Sequence, residues 1–100
     1  MAHYDYLYEE FTMSETEAEF KRSHRLLTRL TEQKEALFTD LNNVISTHTV
    51  NLLKGEIQEL ELRIKKLQNK LKGWEVVKIR IETGEKTTYQ MAHDIVSRGF

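Results

Sequence analysis

The residues best suited to chemistry in this chain are its four histidines, at positions 3, 24, 48 and 93. No two of them have the spacing that places a pair of metal ligands on one helix. His93 is followed by Asp94, but adjacent residues of a helix point to different faces, so this carboxylate would not orient the imidazole as a general base. The chain has no cysteine and only four scattered glycines, which excludes thiol chemistry and a glycine-rich phosphate loop. The sequence therefore predicts no catalytic, cofactor or metal site, and a protein that is not an enzyme.

The largest excess of positive charge lies in residues 63–80, which carry seven basic side chains and one acidic side chain. A protein that follows a nucleic-acid backbone needs several cations on one surface, because each neutralised phosphate adds to the affinity. On a helix, spacings of three and four residues align part of this set along one flank. The candidate polyanion-binding residues are Arg63, Lys65, Lys66, Lys70, Lys72, Lys78 and Arg80.

The opposite charge is concentrated at the N-terminus, where residues 1–20 contain six acidic side chains and no Lys or Arg. In a hairpin that turns near His48, this terminus would return past residues 70–80. We therefore expect the basic stretch to be neutralised within the chain, since runs of like charge are usually solvated or paired. The candidate partner-binding residues in this acidic, aromatic segment are Tyr4, Asp5, Tyr6, Tyr8, Glu9 and Glu10.

Two heptad patterns predict the helices that carry these charges, because apolar residues spaced alternately by three and four form a seam between packed helices. The regular seam is Val50, Leu53, Ile57, Leu60, Ile64, Leu67, Leu71 and Trp74. An earlier seam with two polar interruptions is Phe20, Ser23, Leu27, Leu30, Lys34, Leu37, Leu41 and Val44. The first helix begins at a capping box, formed either by Ser14 with Glu17 or by Thr12 with Glu15.

The two seams are out of phase by two residues, so the chain is expected to turn between them. Residues 46–49 are rich in hydroxyl and β-branched side chains, which compete with helical hydrogen bonding and favour a turn at 46–50. A turn at Gly55 is the second alternative, because it would make the two arms very unequal. A single unbroken helix is the third.

After Gly73 the period of the pattern changes. Residues 75–82 alternate in the manner of a strand, residues 83–85 suit a tight turn, and residues 86–88 can return as a short second strand. A short C-terminal helix follows. Its helical positions are Tyr89, Ala92, Ile95 and Val96, its candidate caps are Thr87 and Thr88, and its candidate stop is Gly99.

The expected fold is therefore α+β and predominantly helical, within a single domain of residues 1–100. It comprises an antiparallel coiled-coil hairpin over residues 14–73, followed by a β-hairpin and a short helix over 74–100. The acidic segment, residues 1–13, fits either a strand or a helix, and a short helix is expected.

The function expected first is protein–protein interaction, by an adaptor or a small inhibitor that occupies a larger protein assembly. The alternatives are nucleic-acid binding through residues 63–80, or mimicry of a nucleic acid by the acidic N-terminus. A homodimer is also expected, since a lone β-hairpin needs cover and some apolar residues lie outside the seams. These residues are Leu26, Phe38, Leu52 and Leu62. No stretch has the apolar length of a membrane span or signal peptide, which predicts a soluble, cytoplasmic protein.

Overall fold

The computed structural model describes residues 8–98, and within them the chain forms three α-helices. These are α1 (Met13–Asn43), α2 (Thr47–Glu82) and α3 (Tyr89–Ser97). α2 folds back along α1 to form a hairpin, and α3 packs on the C-terminal half of α2. The described part is elongated, with extents of 58 × 28 × 20 Å. Over these residues, no helix has both the length and the apolar character needed to cross a membrane.

The heptad seams expected from the sequence are the surfaces on which α1 and α2 pack. Every residue of both seams is buried or half-buried. At the centre of the hairpin, Leu30 of α1 is buried against Leu60, Ile64 and Leu67 of α2. The predicted helical hairpin is therefore confirmed, and its geometry is consistent with coiled-coil packing.

The turn of the hairpin lies at residues 44–46, slightly before the expected range of 46–50. Val44 has left the helical conformation, with φ −94° and ψ 140°, and Ser46 is the N-cap of α2. The alternative of a turn at Gly55 is wrong, because this residue lies inside α2. The alternative of one unbroken helix is also wrong, because α1 ends at Asn43 and α2 begins at Thr47.

The start of α1 shows which of the two candidate capping boxes forms. The Glu15 N–H donates to the Thr12 hydroxyl over 3.2 Å, and the Thr12 N–H donates back to the Glu15 carboxylate over 3.4 Å. Ser14, the cap of the other candidate, already lies within the first turn of the helix. The Glu15 carboxylate also accepts a hydrogen bond from the Tyr89 hydroxyl, which ties the start of α1 to the start of α3.

The strand expected over residues 75–82 is wrong, because α2 continues to Glu82. In a strand Val77, Ile79 and Ile81 would share one face, but Ile79 is 52% exposed whereas Val77 is fully buried. Trp74, Val77 and Ile81 also have helical spacing, and these side chains pack in one cluster with α3. Tertiary packing on the helical face therefore outweighs the β-propensity of the branched residues.

The expected β-hairpin is absent, since the residues described contain only one isolated bridge, between Glu10 and Thr88. The expected tight turn is instead the C-cap of α2. The Gly84 N–H donates to the Ile81 carbonyl over 3.0 Å, and the Glu85 N–H donates to the Arg80 carbonyl over 2.9 Å. This is the Schellman arrangement, which requires a left-handed residue, and Gly84 supplies it with φ +84°.

The C-terminal helix is confirmed as α3, with Thr88 as its N-cap accepting from the Met91 N–H over 3.2 Å. The expected stop at Gly99 lies outside the described residues. Gly73 was interpreted as the end of the long helix, but it is the point at which α3 approaches α2. A Cβ atom at Gly73 would lie 2.7 Å from the Val96 Cα.

The helix expected in the N-terminal segment is not present over residues 9–12, and residues 1–7 lie outside the described range. The backbone here pairs with the start of α3, since the Phe11 N–H donates to the Thr87 carbonyl over 2.7 Å. Phe11 is only 4% exposed and stacks on Trp74, with 5.5 Å between ring centroids. The segment is thus fixed by backbone pairing with the start of α3 and by one buried aromatic side chain.

The close approach at Gly73 leads to a stability prediction. Gly73→Ala should lower the free energy of unfolding by about 1–2 kcal/mol, because overpacking against backbone outweighs the gain in helix propensity. The matched control is Gly55→Ala, which has no atom within 4 Å of the new Cβ. It should raise stability by about 0.5–1 kcal/mol. Urea unfolding followed by circular dichroism measures both. Equal stabilisation by the two substitutions would show that α3 does not pack at Gly73.

Candidate functional site

The acidic candidates of the N-terminus are only partly within the described residues. Tyr4, Asp5 and Tyr6 fall outside them. Tyr8, Glu9 and Glu10 are exposed, and Tyr8 is 69% exposed. The backbone of Glu9 and Glu10 pairs with the start of α3, which places these exposed side chains at one end of the molecule.

The register of the hairpin decides which charges lie next to each other. The Lys78 ammonium lies over the Phe20 ring, 5.9 Å from its centroid. Arg22 and Leu26 of α1 line one groove together with Lys70 of α2. The basic part of α2 therefore lies beside the middle of α1, and the acidic first turns of α1 lie further along, towards the end of α2.

The part of α1 that meets the basic part of α2 is itself basic. Residues 21–34 contain five basic side chains and one acidic, and residues 63–72 contain five basic and none acidic. The two segments together have an excess of nine positive charges in a chain whose net charge is −1. We call their ten cationic residues the basic belt. It consists of Lys21, Arg22, Arg25, Arg29, Lys34, Arg63, Lys65, Lys66, Lys70 and Lys72.

The belt is open to solvent and almost free of internal counterions. All of its residues are exposed except Lys34, which is half-buried. Among the described residues, its one ion pair joins Arg22 to Glu19 over 2.8 Å, and the Arg22 side chain remains 73% exposed. Glu19 and Asp94 line the same groove as Lys70, but neither pairs with it.

Among the described residues, no ion pair joins residues 63–80 to the acidic terminus. Glu19 nevertheless lines the groove that contains Lys70, so the expected neutralisation stays a prediction. Five of the seven predicted polyanion-binding residues belong to the belt, whereas the other two are engaged elsewhere. Lys78 lies over Phe20, and Arg80 pairs with Glu85 over 3.2 Å. Because these two positions are helical rather than part of a strand, they do not extend the ridge in the expected direction.

The arginines of α1 were missed by the sequence analysis. Arg22, Arg25 and Arg29 are spaced by three and four residues, so their common helical face could have been recognised. Their importance could not, because it depends on which part of α2 lies beside them. The signal that could have shown it is the pairing of the two seams. Once Leu30 is placed against Leu67, the α2 neighbours of each arginine follow.

The hairpin tip, residues 38–53, has the opposite character. Within it, the thirteen consecutive residues 41–53 include no Asp, Glu, Lys or Arg, although charged residues make up 31% of the whole chain. Ile45 is 99% exposed and Leu52 is 56% exposed.

The four apolar residues expected to remain outside the seams are all exposed. They are Leu26, Phe38, Leu52 and Leu62.

Comparison with family models, with curated proteins and with solved structures found no match to this chain. Within residues 8–98, no group of three His, Asp or Glu side chains is placed to hold a metal ion. The belt and the tip are therefore interpreted from their own chemistry.

The crowding of positive charge in the belt can be tested through stability. Lys66 has Arg63 and Lys70 at helical spacing, so Lys66→Glu replaces two repulsions by two attractions. We expect the variant to gain about 0.5 kcal/mol at low ionic strength, and the gain to shrink in high salt as the pairs are screened. The measurement is urea unfolding in 20 and 500 mM NaCl, concentrations chosen to be well below and above about 0.1 M.

Lys54→Glu is the matched control, because this exposed lysine of α2 lies outside the belt and has no basic neighbour at helical spacing. It should leave stability almost unchanged. A loss of stability in Lys66→Glu at low salt would mean that Lys66 is already paired with carboxylates, as the sequence had suggested.

Proposed function

We propose that this chain is a non-enzymatic nucleic-acid-binding module, whose basic belt contacts the phosphate backbone of a duplex. The observation that supports it is the alignment of two basic helix segments, residues 21–34 and 63–72, side by side in one hairpin. This function was the alternative expected from the sequence, and the α1 arginines now strengthen it.

The electrostatic argument rests on the scarcity of counterions in the belt, where Arg22 with Glu19 is the one ion pair among the described residues. Ten cations held within one region repel one another, and each nearby anion reduces that repulsion. Water and small ions do so in the free protein. A polyanion can reduce the repulsion with a favourable binding free energy, because its condensed counterions are released when lysines and arginines replace them.

The dimensions of the belt suit a short length of duplex. A helical segment of fourteen residues is about 21 Å long at a rise of 1.5 Å per residue. Phosphates follow each other every 3.4 Å along one strand, so the belt spans roughly six of them. Since the ten cations are distributed over both helices, about four or five of them can face one duplex.

The surroundings of the belt favour a duplex over other polyanions. Binding to single strands usually uses exposed aromatic side chains on which bases stack, but residues 21–34 and 63–72 contain no Phe, Tyr or Trp. Binding to an anionic membrane needs an apolar face, whereas Leu26 is the one exposed large apolar side chain in the two described segments. Flexible cations without such partners recognise the backbone and not the base sequence.

The test is binding of a fluorescently labelled 30-base-pair duplex, of about five times the belt length, measured by anisotropy at several salt concentrations. Wild type should bind with a log–log salt slope of about −4, as expected for four or five phosphate contacts. Replacing Arg29, Lys65 and Lys66 by alanine should weaken binding at least about tenfold, and should make the slope shallower by about 2–3.

The control removes the same residue types outside the belt, by Arg98→Ala, Lys54→Ala and Lys86→Ala. It should bind almost as tightly as wild type, and circular dichroism should show that both triple variants are folded. Equal weakening by the two triple variants would mean that net charge, and not the belt, governs binding. Absence of binding in 50 mM salt, or tighter binding to anionic vesicles or polyglutamate than to the duplex, would contradict the proposal.

The hairpin tip supports the other function expected from the sequence, association with a protein. Its exposed apolar residues are at the far end of the hairpin from α3, and they are separated from the belt by acidic residues of α2. These are Glu56, Glu59 and Glu61.

A further inference from the structure

The connection at the hairpin tip is unusual in its composition. Short connections between helices are generally built from glycine and polar residues, which satisfy the backbone and tolerate water. Here Val44 and Ile45 occupy two of the three positions, and Ile45 is 99% exposed. A fully exposed β-branched side chain gains nothing in the monomer, so its place is better explained by a contact made outside it.

The seam between α1 and α2 is also incompletely covered at this end. In α1 the last fully buried seam residue is Leu30, and in α2 the first is Ile57. All seam residues between these two are only half-buried. They are Lys34, Leu37, Leu41, Val44, Val50 and Leu53. The apolar surface of the tip therefore consists of heptad residues whose burial is incomplete, together with Ile45, Phe38 and Leu52.

The charge of the tip indicates what can cover it. In a two-fold symmetric contact each surface meets itself, so charged groups near the axis meet like charges. Residues 41–53 have no charged side chain and can meet their own copy without this cost. Asp40 is the one Asp, Glu, Lys or Arg of the tip, so a partner chosen by charge would find little there to recognise.

We propose that the tip binds the tip of a second copy of this chain, giving an end-to-end dimer about a two-fold axis. The unfinished seam of one hairpin then continues in the seam of the other, which is self-complementary because both have the same heptad spacing. The middle of the belt is about 24 Å from the tip along α1, so the two belts lie about 50 Å apart. At physiological ionic strength charges screen each other beyond about 8 Å, and the belts do not repel.

A side-by-side dimer would not have this property. It would bury the flanks of the hairpins and bring two belts, each with an excess of nine positive charges, into contact. End-to-end contact is therefore the arrangement in which the apolar tip is covered while the belts stay apart and remain accessible.

The first test is sedimentation equilibrium without nucleic acid, over loading concentrations chosen from about 1 µM to 1 mM, the range of weak to moderate affinities. Wild type should show a dimer in equilibrium with the 11.9 kDa monomer. Leu52→Asp should weaken the dimer at least about thirtyfold, because it places a charge beside its symmetry mate. Leu62→Asp is the matched control. It changes a leucine of similar exposure in the same helix, outside the tip, and should leave the dimer unchanged.

The second test locates the contact. The chain has no cysteine, so single spin labels can be attached at Ser46→Cys or at Gln68→Cys. In the end-to-end dimer the Ser46 labels should be within about 20 Å of each other, whereas the Gln68 labels should be about 60 Å apart at 1.5 Å per residue. A parallel side-by-side dimer would give short distances for both pairs, and an antiparallel one would give a long distance for Ser46.

A single 11.9 kDa species at every concentration would overturn the proposal, because the tip would then be reserved for a different partner. A dimer that survives Leu52→Asp, or that Leu62→Asp weakens equally, would overturn it as well. Since neither test contains nucleic acid, a failure here is independent of the proposed role of the belt.

Discussion

The three-residue connection between α1 and α2 constrains the whole hairpin, because it leaves the two seams one register in which to meet. Leu30 then faces Leu60, Ile64 and Leu67, and all other neighbours follow from this contact. The arginines of α1 come to lie beside the lysines of α2, although nothing in either helix alone requires this. Apolar packing fixes the register although it brings like charges together. The resulting repulsion is small, because exposed charges in water interact weakly.

The end of the molecule opposite the tip depends on a separate set of contacts. Phe11 inserts between Trp74 and Tyr89, with ring centroids 5.5 and 5.0 Å away. Gly73 lets α3 approach α2, and the start of α1 is joined to α3 through the Glu15 carboxylate. These contacts bury the branched face of α2 and explain why its last turns are helical. The tip has no such covering element among the described residues.

The sequence was informative wherever a local pattern and the final packing agreed. Both seams, the Thr12 box and α3 follow from spacing and capping chemistry that act within a few residues. The strand over residues 75–82 was mispredicted because branched residues fit either period, and only contact with α3 decides between them. The α1 arginines were overlooked for a related reason. Only the register of the hairpin shows that Arg22 lines the same groove as Lys70.

Charge is thus separated along the hairpin into a mixed end, a basic belt and a tip whose residues 41–53 carry no charge, and this separation couples the two proposed interfaces. In the proposed end-to-end dimer the two belts, about 50 Å apart, could contact one duplex together only if it extends over about 15 base pairs at 3.4 Å each. On a shorter duplex each belt acts alone. On a longer one the second contact becomes intramolecular, and the effective concentration set by the rigid hairpins raises the overall affinity. An end-to-end dimer would therefore make binding depend on duplex length, although neither belt measures length by itself.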